Sequence, residues 1–231
     1  MKNQIIDLPI EQLCYLSEPY FMKMCGFHKD LEKNKSHMKE AIALRDQWKD
    51  QWSPHLILSS YSSDCIQDGT FCFGESRIDC QVLQRIPKEE ILHIFVYGMC
   101  LEEIEHKKEM DFLDSFYLDT WMTALIDAGR DWTGNYIRSI LKSSNSRKFF
   151  VTDSFGPGFY GIGIEAVSEW MKIIDGGKIG LKLYHGALNP PKSNVGIYLA
   201  LSKETALPNK DCASCLSGRQ TCEFCKNYIP E

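Results

Sequence analysis

Apolar positions along the chain change their period several times, and each change marks an element. The start reads as helical. Met38, Ala41, Ile42, Trp48 and Trp52 fall on one helix face, Ser36 is a fitting N-cap and Pro54 ends the run. Between residues 56 and 85 the texture shifts to turns: serines at 59–63 and Asp68-Gly69, with Phe71 and Phe73 alternating against Cys72 and Gly74 as in a strand. After Pro87, the β-rich apolar run at 91–97 predicts a buried strand. Residues 101–110 are amphipathic, and their Glu and Lys residues form a solvated helix face.

The clearest helix spans 118–141. Leu118, Trp121, Leu125, Ala128, Trp132, Tyr136 and Ile140 recur at spacings of three and four, which makes one apolar stripe of core type. A strand at 148–152 leads into a glycine-rich loop. A helix comes next at 165–174, with Val167, Trp170, Met171 and Ile174 on one face. Asp175-Gly176-Gly177 is a turn, and strands at 179–184 and 196–201 flank a loop at 189–194. The expected organisation is an N-terminal helical segment at 1–55, an α+β domain at 56–207 and a Cys-rich tail at 208–231. The sheet is expected to be twisted and mainly antiparallel, with flanking helices.

Composition narrows the function classes. Of 231 residues, 44% are apolar and 25% charged, which is ordinary for a globular chain. The net charge of −5 gives no general basic face for nucleic acid. The longest uncharged apolar run, at 91–101, is too short for a bilayer, and no export signal is evident, so a cytoplasmic, non-membrane protein is expected. Cys14, Cys25, Cys65, Cys72, Cys80 and Cys100 are scattered and read as small buried hydrophobes.

Two motifs carry candidate chemistry. Gly156-Pro157-Gly158-Phe159-Tyr160-Gly161 matches G-x-G-x-x-G between a strand and a helix. A dinucleotide site needs loop and helix amides aimed at a pyrophosphate inside a βαβ unit. Pro157 removes one amide, and the hairpin-like pattern C-terminal to it lacks repeated crossovers. The same residues make a tight Gly-Pro-Gly turn. The second motif is Cys212-x2-Cys215-x6-Cys222-x2-Cys225. Two C-x-x-C pairs place four thiolates around one centre, which suits zinc or an iron–sulfur cluster; free thiols or two disulfides are the plain alternatives. His185 lies beside the 189–194 loop, whereas His93 sits in the apolar strand.

Residues 153–198 resemble the reactivation domain of cobalamin-dependent methionine synthase. The pieces come in order: the Pro157-Gly158-Phe159 turn, Trp170, Met171 and Asp175, the Ile179-Gly180-Leu181-Lys182-Leu183 strand, and Pro190-x-x-Ser193-x-x-Gly196-x-Tyr198. The chain is similar to short free-standing forms of that domain that end in a Cys cluster. The resemblance implies that fold. It also implies docking on a partner methyltransferase that carries the corrinoid, and binding of S-adenosylmethionine in a pocket built from Gly156, Pro157, Gly158, Phe159, Tyr160, Pro190, Ser193, Gly196 and Tyr198. The function implied is reductive methylation of inactive cobalt(II), with the electron coming from a flavodoxin or ferredoxin-type reductant or from a cluster on the Cys tail.

One departure stands out. The family has an Arg shortly before the Pro-Gly turn, and here the equivalent place holds Ser154; Phe159 replaces a Tyr. A guanidinium grips a carboxylate with two parallel hydrogen bonds, which a hydroxyl does not reproduce. A non-catalytic corrinoid-protein docking module that keeps only the fold stands as an alternative, as does, on the Gly156–Gly161 loop, a dinucleotide-dependent oxidoreductase.

Overall fold

The apolar run after Pro87 becomes the spine of the molecule. In a computed structural model, which describes residues 1–102, 110–144 and 148–205, this run is an eleven-residue strand. The strands in chain order are β1 (Gln4–Asp7), β2 (Pro54–Tyr61), β3 (Ile66–Gln67), β4 (Thr70–Phe73), β5 (Ser76–Asp79), β6 (Ile91–Leu101), β7 (Phe150–Val151), β8 (Lys182–Tyr184), β9 (Ala187–Asn189) and β10 (Ser193–Leu201). The helices are α1 (Ile10–Met24), α2 (Lys35–Trp48), α3 (Phe112–Ser144) and α4 (Val167–Ile173). The main sheet has the order β1-β2-β6-β10-β7, and every neighbouring pair is antiparallel. The protein is α+β.

Alternation along each strand splits the core in two. On one face Leu56 and Leu58 of β2, Phe95, Tyr97 and Met99 of β6 and Tyr198 of β10 pack under α1, α2 and α3. On the other, Ile57, Ile94, Val96, Ile197 and Leu199 pack under the β3-β4-β5 ribbon and α4. Because both faces are covered, β6 needs no polar side, and its sequence reads as a continuous apolar run. Turn chemistry shapes the ribbon and the outlying hairpin. Asp68 and Gly69 both take positive φ between β3 and β4, and His185 and Gly186 do the same between β8 and β9; these are the backbone signs of tight two-residue hairpins.

Trp121 of α3 ties the helical layer together. Its ring stacks on Phe21 of α1 at 3.8 Å between centroids, its indole N–H donates to the Ala41 carbonyl of α2 at 2.9 Å, and Arg45 sits 5.0 Å over it. The α3 helix also lies close on the sheet. A Cβ at Gly129 would stand 3.0 Å from Met99 Sδ, and one at Gly134 would stand 3.3 Å from the Tyr198 ring.

Several elements differ from the sequence reading. Across the expected boundary at 55, β1 pairs with β2, and α1 and α2 share the core of α3, so residues 1–55 are built into the same sheet and core as β2, β6 and α3. The strand expected at 179–184 is shorter. Ile179 and Leu181 plug the core from a 3-10 turn, Gly180 takes a left-handed φ of 75°, and only Lys182–Tyr184 extends, pairing with β9 outside the main sheet. Of the charged helix expected at 101–110, Leu101 closes β6 and residues 103–109 lie outside the described residues, as does the Cys tail. No helix of the described residues is long and apolar enough to cross a membrane.

Truncating Trp121 removes contacts to two other helices at once. Trp121→Ala is expected to lower the unfolding free energy by about 3–5 kcal/mol in urea titrations, the range for a fully buried aromatic. A loss of about 1 kcal/mol or less would show that the helical layer does not depend on it.

Candidate functional site

Strand β10 holds both bends that the sequence singled out. Its N-terminal end emerges from the 189–194 loop, and its middle accepts the 153–163 loop through a two-way backbone bridge. Phe155 N–H donates to the Ile197 carbonyl at 2.8 Å, and Ile197 N–H donates to the Phe155 carbonyl at 2.7 Å. That bridge brings the loop so near the sheet that a Cβ at Gly196 would stand 2.9 Å from the Phe155 carbonyl oxygen and 2.8 Å from the Tyr97 ring. Glycine is required at 196 because the space is already filled.

The 153–163 loop closes on itself. Phe159 N–H donates to the Gly156 carbonyl at 3.1 Å, Gly158 N–H to the Ile162 carbonyl at 2.9 Å, and Ile162 N–H to the Phe159 carbonyl at 3.0 Å. Gly158 sits at φ 82° and Tyr160 at φ 57°. These amides are spent inside the turn, the sheet is antiparallel, and the next α-helix has seven residues. The G-x-G-x-x-G match therefore lacks the parallel βαβ setting that a dinucleotide site needs. The facing loop is braced as well. Ser193 Oγ donates to the Pro190 carbonyl at 2.6 Å, and Lys192 reaches α3 at Asp119 and Thr123, both at 2.8 Å. The Asn189–Pro190 peptide is cis.

Between the loops lies an open cleft of about 480 Å³. Gly156, Pro157 and Phe159 form one wall, Pro191, Ser193 and Asn194 form the other, and Leu188 of β9 and Ile164 add apolar surface. Of the expected pocket residues, Gly156, Pro157, Phe159 and Ser193 line this cleft. Gly158, Pro190 and Gly196 are not among the residues that line it. Tyr160 turns inward, 4% exposed, with its ring against Phe155. Tyr198 lies on the opposite face of β10, 3% exposed, and its hydroxyl donates to the Arg130 carbonyl of α3. There it borders a second, smaller cavity of about 220 Å³, which is mostly polar and also lined by Asp131, Arg138 and Asp153.

Arg130 and Ser154 line both cavities. Ser154 Oγ and Tyr97 Oη are 2.8 Å apart, and Tyr97 in turn donates to Asn194 Oδ1 at 3.1 Å, so this network links the two loops through β6. Burial pushes the Tyr97 hydroxyl up to about 12 and the Tyr198 hydroxyl well above its ordinary value, so both stay neutral donors. Burial opposes the Arg130 charge too, but the carboxylates of Asp127 and Asp131 offset it, and the guanidinium is held protonated above its ordinary value.

Arg130 was not legible as a site residue in sequence. The available signal was the pair of mid-helix glycines around it, Gly129 and Gly134. Each costs about 1 kcal/mol of helix propensity and so marks a close helix–sheet approach. Of the six scattered thiols, three are buried as small hydrophobes, whereas Cys25, Cys65 and Cys72 are only half-buried. Cys14, Cys80 and Cys100 are buried, and burial pushes each up to about 11, which disfavours the thiolate that a metal would need. Among the described residues no group of three or more His, Cys, Asp or Glu side chains is placed to hold a metal.

Gly196→Ala is expected to cost about 1–3 kcal/mol in denaturant titrations, because a backbone oxygen and a ring must give way together. An unchanged midpoint would mean that the Phe155 bridge is loose and the two cavity walls are not held in register. No protein-family model matches the chain, and no curated protein matches it.

Proposed function

We propose that the protein is a reactivation factor for a corrinoid-dependent methyltransferase of the methionine synthase type. It docks on a partner that carries the corrinoid and presents S-adenosylmethionine to the cobalt. One electron from a flavodoxin or ferredoxin-type reductant takes the partner's cobalt(II) to cobalt(I). The cobalt(I) electron pair attacks the methyl carbon of the sulfonium; a cobalt–carbon bond forms, the carbon–sulfur bond breaks, and S-adenosylhomocysteine leaves as a neutral thioether. The chain's own contribution is to hold the methyl donor in line and keep competing nucleophiles away.

The observation that carries this reading is the open cleft, whose two walls are the bends that resemble the reactivation domain. Its surroundings suit a docked macromolecule. Phe159 and Ile164 on the cleft are 38% and 61% exposed, large apolar side chains beside its opening, and Tyr184 on the β8–β9 hairpin is 68% exposed.

Cys212, Cys215, Cys222 and Cys225 complete the reading. They lie outside the described residues, and as a donor set of four thiolates they suit an iron–sulfur cluster, with zinc as the alternative. A cluster bound there would supply one-electron chemistry. A second reading, a docking module that binds the corrinoid protein without methyl transfer, is favoured by Ser154 standing where the resembling family has its Arg.

The test uses anaerobically purified protein, analysed for iron, sulfide and zinc. It is mixed with a cobalt(II) corrinoid protein, reduced flavodoxin and S-adenosylmethionine. The expected result is a methylcobalt absorbance spectrum with one S-adenosylhomocysteine formed per cobalt. Complex formation without S-adenosylmethionine consumption would support the docking module instead. Neither binding nor turnover would overturn both readings. Stoichiometric zinc without iron or sulfide would remove the cluster and leave the tail a structural staple.

A further inference from the structure

The departure at Ser154 has a structural answer on another element. Arg130, in the middle of α3, lines both cavities, as Ser154 does. We propose that Arg130 is the carboxylate anchor of this site, and that the site takes an S-adenosyl amino acid with its nucleoside in the larger cleft and its amino-acid end in the smaller cavity. This assignment rests on the methyl-donor reading above and names the group that grips the donor.

The two cavities differ in the way such a ligand requires. The larger is lined mostly by apolar side chains, Pro157, Phe159, Ile164 and Leu188 among them, which suits a heteroaromatic base and ribose. The smaller is lined mostly by polar groups of both signs: Arg130 and Arg138 with Asp131 and Asp153. A zwitterionic amino-acid end carries a carboxylate for the first sign and an ammonium for the second.

Arg130 has capacity for a ligand. Its contacts to Asp127 and Asp131 are 3.4 and 3.9 Å, longer than the roughly 2.7–2.9 Å of a charge-assisted hydrogen bond, and they do not saturate the five donors of a guanidinium. Its side chain is 16% exposed, so a carboxylate that reaches it is largely out of water, where such a bond is strongest. Arg138, by contrast, is already committed to Asn135 Oδ1 at 2.8 Å and the Val151 carbonyl at 3.2 Å. Asp131 accepts the Tyr20 hydroxyl, which fixes that carboxylate from the α1 side. The Tyr198 hydroxyl holds the backbone carbonyl of Arg130 itself, so Tyr198 acts as a positioning residue for this turn of α3.

Calorimetric titration of the full chain with two probes tests the assignment. S-adenosylhomocysteine carries the whole ligand except the methyl group, and 5′-methylthioadenosine keeps the nucleoside and thioether but lacks the amino-acid end. The wild type is expected to bind S-adenosylhomocysteine roughly 10- to 100-fold more tightly, the worth of a hydrogen-bonded charge. Arg130→Gln is expected to remove most of that advantage while costing 5′-methylthioadenosine, whose cleft Arg130 also borders, no more than about 3-fold, and an unchanged circular dichroism spectrum and melting temperature report that the variant is folded. Arg130→Lys restores only part of it, because an ammonium lacks the planar fork. Equal wild-type affinity for the two probes would overturn the assignment, as would an Arg130→Gln loss shared equally by both; the methyl-donor reading would survive either. Binding of neither probe by the wild type would overturn that reading and the anchor with it.

Discussion

The pairing of β6 with β10 is the constraint on which the rest depends. Its register sets Gly196 opposite Tyr97 and Tyr198 opposite Phe95, and both strands are covered on both faces. A slip of β10 by one residue would turn its side chains over, moving Tyr198 from beneath α3 to the side of α4 and Ile197 the other way. It would also put a side chain where Phe155 needs a glycine. The pocket is thus a consequence of sheet register. One wall hangs on β10 through the Phe155–Ile197 bridge, the other is the loop that feeds β10, and the floor is the Tyr97–Ser154–Asn194 network.

Much of this was readable in the residues themselves, and the rest was hidden for physical reasons. The stripe on α3 and the apolar run of β6 are long, regular patterns, and they mark elements whose existence does not depend on distant partners. The Asp68-Gly69 turn is local chemistry and was equally plain. The short pieces were harder. Residues 179–181 carry β-like composition, but the left-handed Gly180 and the burial of Ile179 and Leu181 make them a plug, so tertiary packing overrode propensity. The boundary expected at 55 disappears because β1 is a short edge strand whose only reason to be extended is β2, which is distant in sequence.

The site divides in the same way. The bends were legible because Gly, Pro and Ser declare their backbone requirements locally. Tyr198 was matched by its place in a motif, but its role is to hold α3 on the sheet, which only the packing reveals. Arg130 sat in the middle of a core-type helix, where a charged residue reads as solvated. What distinguishes it is its position between Gly129 and Gly134, at each of which a Cβ would press on a side chain of the sheet.

This geometry bears on how a largely buried charge is held in place. An anchoring guanidinium on a loop borrows its precision from the loop. One on a long helix pressed against a sheet has its backbone held by intrahelical bonds, by close contact at both flanking glycines and by the Tyr198 hydroxyl. Less entropy is then lost when a ligand is bound, because the donor is already in place. Two mid-helix glycines are a stability cost that α3 carries along its length, and the packing of Trp121 against α1 and α2 offsets it. Ser154 borders both cavities beside Arg130, and its hydroxyl is held by Tyr97.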